Sequence, residues 1–285
     1  MFGRFLYAHY FCGWYFRSQS DTQTLAIIPS IHKTRESSFC TIQVIADTES
    51  FHRQFPYSDY KKDKQSVRID ENRFGKDGIT LNIQAPELCA SGSMRFGSFV
   101  SIQYDIMGPF KYVPFMQCRH SVFSMHHLVN GRIEINGTPF VFQDEIGYIE
   151  GDRGYSFPME YVWTQCSIPT GSLMISIADI PFGPLRFTDV IGVVLLNGKE
   201  YRIATYLGAK VVKITWDEII IRQESYAFIT KPQSFSGHPL CAPVSGAMKR
   251  TIHEHPSCKV YYRLEKNGIP LLELDASNAA FEYEY

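Results

Sequence analysis

The chain has 285 residues, 45% of them hydrophobic and 20% charged, which supplies a sizeable core and excludes wholesale disorder. Lys plus Arg number 28 and Asp plus Glu 29, a net charge of −1. No basic excess exists to neutralise phosphates, so a nucleic-acid binder is not expected. Within the apolar set, 27 Ile, 15 Val, 17 Tyr and 21 Phe outweigh 15 Leu and 14 Ala. Branched and aromatic side chains suit a pleated surface, so composition leans to an all-β protein.

Met1 to Tyr7 lacks a long apolar core followed by a small-residue cleavage site, and no signal peptide is expected. Thr24 to Ile28 and Cys40 to Ile45 read as adjacent strands. Glu49 to Phe55, just before Pro56, is the best short helix candidate. Ser66 to Phe74 and Gly78 to Ala85 flank a hairpin signal at Gly75-Lys76-Asp77. Asn-Gly pairs at 130–131, 136–137, 197–198 and 267–268 each favour a tight primed turn. The longest aliphatic run, Val190 to Leu196, is broken by Gly192. It is far short of the ~20 residues of a membrane helix, so no integral membrane segment is expected. Val211 to Arg222 reads as one long bent strand or two short ones, and Lys259 to Leu264 with Ile269 to Leu274 as a last hairpin.

Roughly sixteen strands at this turn spacing exceed one small closed barrel. Two antiparallel barrels or sandwiches packed together fit better, residues 1–128 and 129–285. The Gly108 to Pro114 loop and the Asn130-Gly131 turn bracket that boundary. The seven cysteines are scattered and form no Cys-x-x-Cys pair, so reduced thiols in a cytoplasm are the simplest reading.

The stretch from Gly147 to Cys166 is the most distinctive. It resembles the signature of the tocopherol cyclase-like family through Glu150, Asp152, Gly154, Phe157, Pro158, Trp163 and Gln165. Gly151, Arg153 and Tyr161 depart from it, standing where Lys, Trp and Trp are usual. Gly13-Trp14-Tyr15-Phe16-Arg17 and Pro109-Phe110 to Pro114-Phe115-Met116 resemble two further family segments. The resemblance implies a pair of lipocalin-like barrels, related to those of carotenoid hydratases.

It also implies an apolar isoprenoid or polyene ligand, cyclised through protonation of an alkene without a cofactor. Such chemistry needs a carboxylic acid kept protonated by burial, aromatic faces near the cation, and exclusion of water. Glu150 and Asp152 are the candidate proton donors. Trp14, Tyr15, Arg153, Tyr155, Tyr161 and Trp163 are the candidate ligand-binding residues. Arg153 puts a fixed charge beside the acid, and an Asp152–Arg153 ion pair would hold Asp152 ionised. The alternative function is then a non-catalytic carrier of an apolar small molecule. His126 and His127 point to opposite faces of a strand, so with His120 they form no expected metal site. His238, His253 and His255 are expected at the surface, and Cys118 and Cys166 as buried thiols. No nucleotide loop is present.

Overall fold

The computed structural model describes residues 9–46, 49–114, 116–168, 170–182, 185–233 and 237–285. Met1 to Tyr7 and Phe115, both used in the sequence reading, lie outside them. The first half of the chain carries β1 (Tyr10–Gln19), β2 (Thr24–Lys33), β3 (Ser38–Ala46), β4 (Glu49–Pro56), β5 (Tyr60–Lys62), β6 (Ser66–Ile69), β7 (Asn72–Gly75), β8 (Gly78–Ala85), β9 (Leu88–Phe96), β10 (Cys118–Ile135) and β11 (Thr138–Gly154). The second carries β12 (Tyr161–Ile168), β13 (Gly171–Phe182), β14 (Leu185–Leu196), β15 (Lys199–Arg202), β16 (Lys210–Thr215), β17 (Glu218–Gln223), β18 (Tyr226–Pro232), β19 (His238–Val244), β20 (Ala247–Lys266) and β21 (Ile269–Tyr283). Among the described residues there is no α-helix, and so none long and apolar enough to cross a membrane.

All strand pairs are antiparallel. One sheet has the order β4-β3-β2-β1-β11-β10-β9-β8-β7-β6-β5, the other β15-β14-β13-β12-β21-β20-β18-β17-β16, with β19 added on β20. Both follow one plan: the first strand of each half pairs with the last, β1 with β11 and β12 with β21. The expected all-β class of two large antiparallel sheets is what the chain forms.

The chain divides into two compact units. One holds Met1–Ser101, Phe115–Phe157 and Leu240–Thr251; the other holds Ile102–Pro114, Pro158–Pro239 and Ile252–Tyr285. The boundary expected near residue 128 therefore falls inside β10 rather than between units. Asn130-Gly131 makes no turn there. It marks a register shift between Val129 and Gly131 along one continuous strand.

Each unit has its own apolar core. In the first, Leu25, Ile27 and Ile31 of β2, Ile42 and Val44 of β3 and Ile79, Leu81 and Ile83 of β8 point inward. On β8 the intervening Thr80, Asn82 and Gln84 face solvent, the pattern of a half-buried strand. On β2 and β3 the intervening residues are buried too, among them Ser30, His32, Thr41 and Gln43. These strands bury a second, polar face opposite the core. The β19–β20 segment covers part of it, since the Gln43 amide donates to the Cys241 carbonyl and accepts from the Cys241 N–H.

Two segments differ from expectation, one expected as a helix and one as a single strand. Glu49 to Phe55 is not helical but forms β4, in register with β3 from Ala46↔Glu49 to Phe39↔Pro56. So short a helix is unstable alone, and pairing to an open edge satisfies its backbone better. Ser66 to Phe74 is split into β6 and β7 at Asp70, whose φ is 57°. Of the two readings of Val211 to Arg222, two short strands are formed, β16 and β17. The other three Asn-Gly pairs do turn the chain, with φ of 49° and 86°, 50° and 74°, and 51° and 79°.

Gly131 has a φ of 146°, and a Cβ there would lie 2.3 Å from the Ser93 carbonyl oxygen. Gly137 also has positive φ but open space around it. Gly131→Ala is expected to destabilise by about 3 kcal/mol or more and Gly137→Ala by about 1 kcal/mol. Urea midpoints at constant m-value measure both.

Candidate functional site

Three strands of the first unit, β10, β11 and β1, lie side by side across its polar face. His120, Asp152 and Gly13 form one cross-strand rung, and Val122, Glu150 and Tyr15 the next. Tyr148 stands one step further, opposite Arg17. Directly opposed residues of antiparallel strands share a face, and diagonal neighbours lie within reach of long side chains. Tyr148, Glu150 and Asp152 are two apart on β11, and Cys118 and His120 two apart on β10. All five side chains therefore meet on one side of the sheet.

His120 bridges the two carboxylates. Its Nδ1 lies 3.0 Å from Asp152 Oδ1 in a hydrogen bond. Its Nε2 lies 3.1 Å from Glu150 Oε2, as an ion pair that the N–H direction does not align into a hydrogen bond. The Tyr148 hydroxyl donates to the same Glu150 oxygen at 2.6 Å, and the Cys118 thiol donates to Asp152 Oδ1 at 3.4 Å. Side-chain exposure rises from 7% at Glu150 through 10% at His120 to 23% at Asp152. Asp152 is thus the wet end of the cluster.

Burial alone would push the His120 imidazole toward neutrality. The charges of Glu150 and Asp152 outweigh it, and His120 holds its proton well above the ordinary histidine range. Burial, followed by the adjacent carboxylate charge, raises Cys118 and Tyr148 far above their usual ranges. Both stay protonated as donors. His32, on the same polar face without a carboxylate partner, shows the contrasting case: burial pushes it down to about 4.

His120, Glu150 and Asp152 offer three ligand atoms within 4.8 Å of one another. A cation would need a free lone pair on His120, whose ring nitrogens both face carboxylates and hold protons. A metal ion held there would have to displace a proton from His120.

The register runs unbroken through Glu150, Gly151 and Asp152, so Gly151 makes no bulge and the two acids share a face. A Cβ on Gly151 would lie 2.6 Å from the Gly13 carbonyl, 3.1 Å from the Phe123 ring and 3.4 Å from the Trp14 ring. No lysine fits there. Arg153 is exposed on the other side of β11 and forms no ion pair with Asp152; His120 is the partner instead.

The ligand-binding candidates fall in both units. Tyr15 is buried on the acid face, whereas Trp14 packs against the apolar core on the opposite one. Tyr155 is half-buried beyond β11, its N–H bonded to the Gln117 carbonyl. Tyr161 and Trp163 belong to the second unit, where Val162 enters the core and they occupy the other face of β12. There Tyr161 donates to Glu282, which stands opposite Trp163. His255, expected at the surface, is buried. The sequence reading missed His120, Tyr148 and Cys118 as members of the site. Their signal is the period of two in Cys118-x-His120 and Tyr148-x-Glu150-x-Asp152.

No protein-family model matches the chain, and no curated protein matches it. Solved structures do. A candidate AttH of Nitrosomonas europaea superposes with a TM-score of 0.55 at 11% identity, covering 97% of this chain and 93% of that one. Kievitone hydratase of Nectria haematococca gives 0.54 at 9% identity over 97% and 89%. CghA bound to Sch210972 gives 0.63 at 10% identity over 97% and 89%. At these identities the likeness is one of fold.

His120→Gln removes the imidazolium that bridges the buried Glu150 and the partly exposed Asp152, and is expected to cost about 3–5 kcal/mol in urea unfolding near neutral pH. A raised histidine pKa contributes stability that is complete below the unfolded value near 6.5 and is lost as pH rises through the folded value. The gap between wild type and His120→Gln is therefore expected to narrow at alkaline pH.

Proposed function

We propose that the chain binds an apolar small molecule of isoprenoid or polyene type and that the His120–Glu150–Asp152 cluster protonates it, with Glu150 as the donor. The observation that carries this reading is a buried histidine held between two carboxylates, one dry and one wet. The fold shared with a hydratase and with a protein holding a small organic ligand is consistent with it.

The cluster carries one proton on His120 in its resting state. A ligand that excludes water raises the cost of two ionised carboxylates, so a second proton settles on Glu150. Tyr148 fixes the orientation of that carboxyl through its hydrogen bond. Transfer of the proton to an alkene leaves a tertiary cation beside the Glu150 carboxylate, whose negative charge stabilises it. A phenol or water oxygen then adds to the cation, and its proton returns to Glu150. The net reaction is cyclisation or hydration, and neither needs a cofactor.

Losing a positioned general acid costs ~10²–10⁴-fold in rate. With a prenylated hydroquinone as substrate and product analysis by mass spectrometry, Glu150→Gln is expected to lose turnover by that factor. Asp152→Asn is expected to lose less, and wild-type turnover to fall as pH rises. Binding without turnover in the wild type contradicts catalysis and leaves the carrier reading. A loss in Asp152→Asn but not in Glu150→Gln moves the donor role to Asp152.

A further inference from the structure

In the first unit a cleft of about 520 Å³ opens between the β7–β8 turn and the segment after β9. Small-molecule sites span ~300–1,000 Å³. Phe99, Val122 and Phe123 form its apolar walls, and Lys76, Ser98 and Ser101 its polar groups.

The cleft is framed by fixed backbone. Gly97 N–H donates to the Leu128 carbonyl at 2.8 Å, Val100 N–H to His126 at 2.9 Å, and Met125 N–H to Val100 at 2.8 Å. These bonds tie the Phe99 segment to β10. The Phe99 ring is backed by His127 at 4.8 Å and Phe96 at 6.4 Å. Phe123 is 39% exposed, an aromatic wall left uncovered. Lys76 is exposed, and among the described residues no carboxylate pairs with its ammonium. The neighbouring Asp77 is taken by Arg73 at 2.8 Å. The cleft thus combines an aromatic wall with one unneutralised positive charge. Val122 also stands opposite Glu150, so one wall is the strand that carries the acid cluster's histidine.

We propose that this cleft is a binding site for an isoprenoid or polyene bearing a single acidic oxygen head, a carboxylate or ionised phenol, which pairs with Lys76. The apolar body lies along Phe99, Val122 and Phe123. This assignment rests on the reading that the chain takes an apolar small molecule, and it names the site and the head group.

Calorimetric titration with farnesoic acid and with farnesol tests it on the full chain. The wild type is expected to prefer the acid by about three- to tenfold, the range of one partly exposed charged contact. Lys76→Ala is expected to abolish that preference while farnesol binding stays. Ser98→Trp, an exposed position that fills the cleft, is expected to weaken both ligands at least tenfold, with circular dichroism reporting retained fold. If the acid binds but neither variant changes its affinity, the cleft is not the site, and the apolar-ligand reading stands. If neither compound binds the wild type, both the cleft assignment and that reading fail.

Discussion

Burying two carboxylates on one face of a sheet costs several kcal/mol per ion unless a counter-charge is buried with them. In this chain the imidazolium of His120 supplies such a counter-charge, within 3.1 Å of both acids. The arrangement constrains everything around it. β11 must stay extended from Tyr148 to Asp152 so that three side chains share a face. β10 must be in register so that His120 opposes Asp152 and reaches Glu150 diagonally. Gly151 must admit the Gly13 carbonyl and the rings of Trp14 and Phe123 on the reverse side.

The same geometry separates two chemistries on one sheet. One face of β1–β3 and β11 closes an apolar core with Phe16, Ile27, Val44 and Ile149. The other buries Arg17, Ser30, His32, Thr41, Gln43 and Glu150. Hydrogen bonds satisfy much of that polar face: the Ser30 hydroxyl lies 2.8 Å from His32 Nε2 and 2.6 Å from the Thr41 hydroxyl. On it, pKa values are driven apart by partners alone. His32 is buried without a carboxylate and is held neutral; His120 is buried between two and is held charged.

Much of the architecture was legible in the sequence because strand period and turn chemistry are local. The hairpins at Asn136-Gly137, Asn197-Gly198 and Asn267-Gly268 follow from the left-handed backbone those residues tolerate. Asn130-Gly131 shows the limit: the same dipeptide serves a register shift inside a long strand, a choice made by cross-strand partners. The unit boundary was missed for a related reason, since each unit is assembled from segments distant in the chain. At the site, Glu150 and Asp152 were visible through the family-like block. Their true partner was not, because Arg153 is adjacent in sequence whereas His120 is adjacent in space. Alternation also separates Trp14 from Tyr15, two neighbours that a motif reading groups together.

His120 stands as a charged bridge between two acids. Nitrogen-15 NMR of histidine-labelled protein, with the His120 signals identified by their loss in His120→Gln, tests it directly. Both ring nitrogens are expected to remain protonated at about pH 8, well above the ordinary histidine value near 6.5. A His120 ring that loses its proton near or below that value would show that it is no charged bridge.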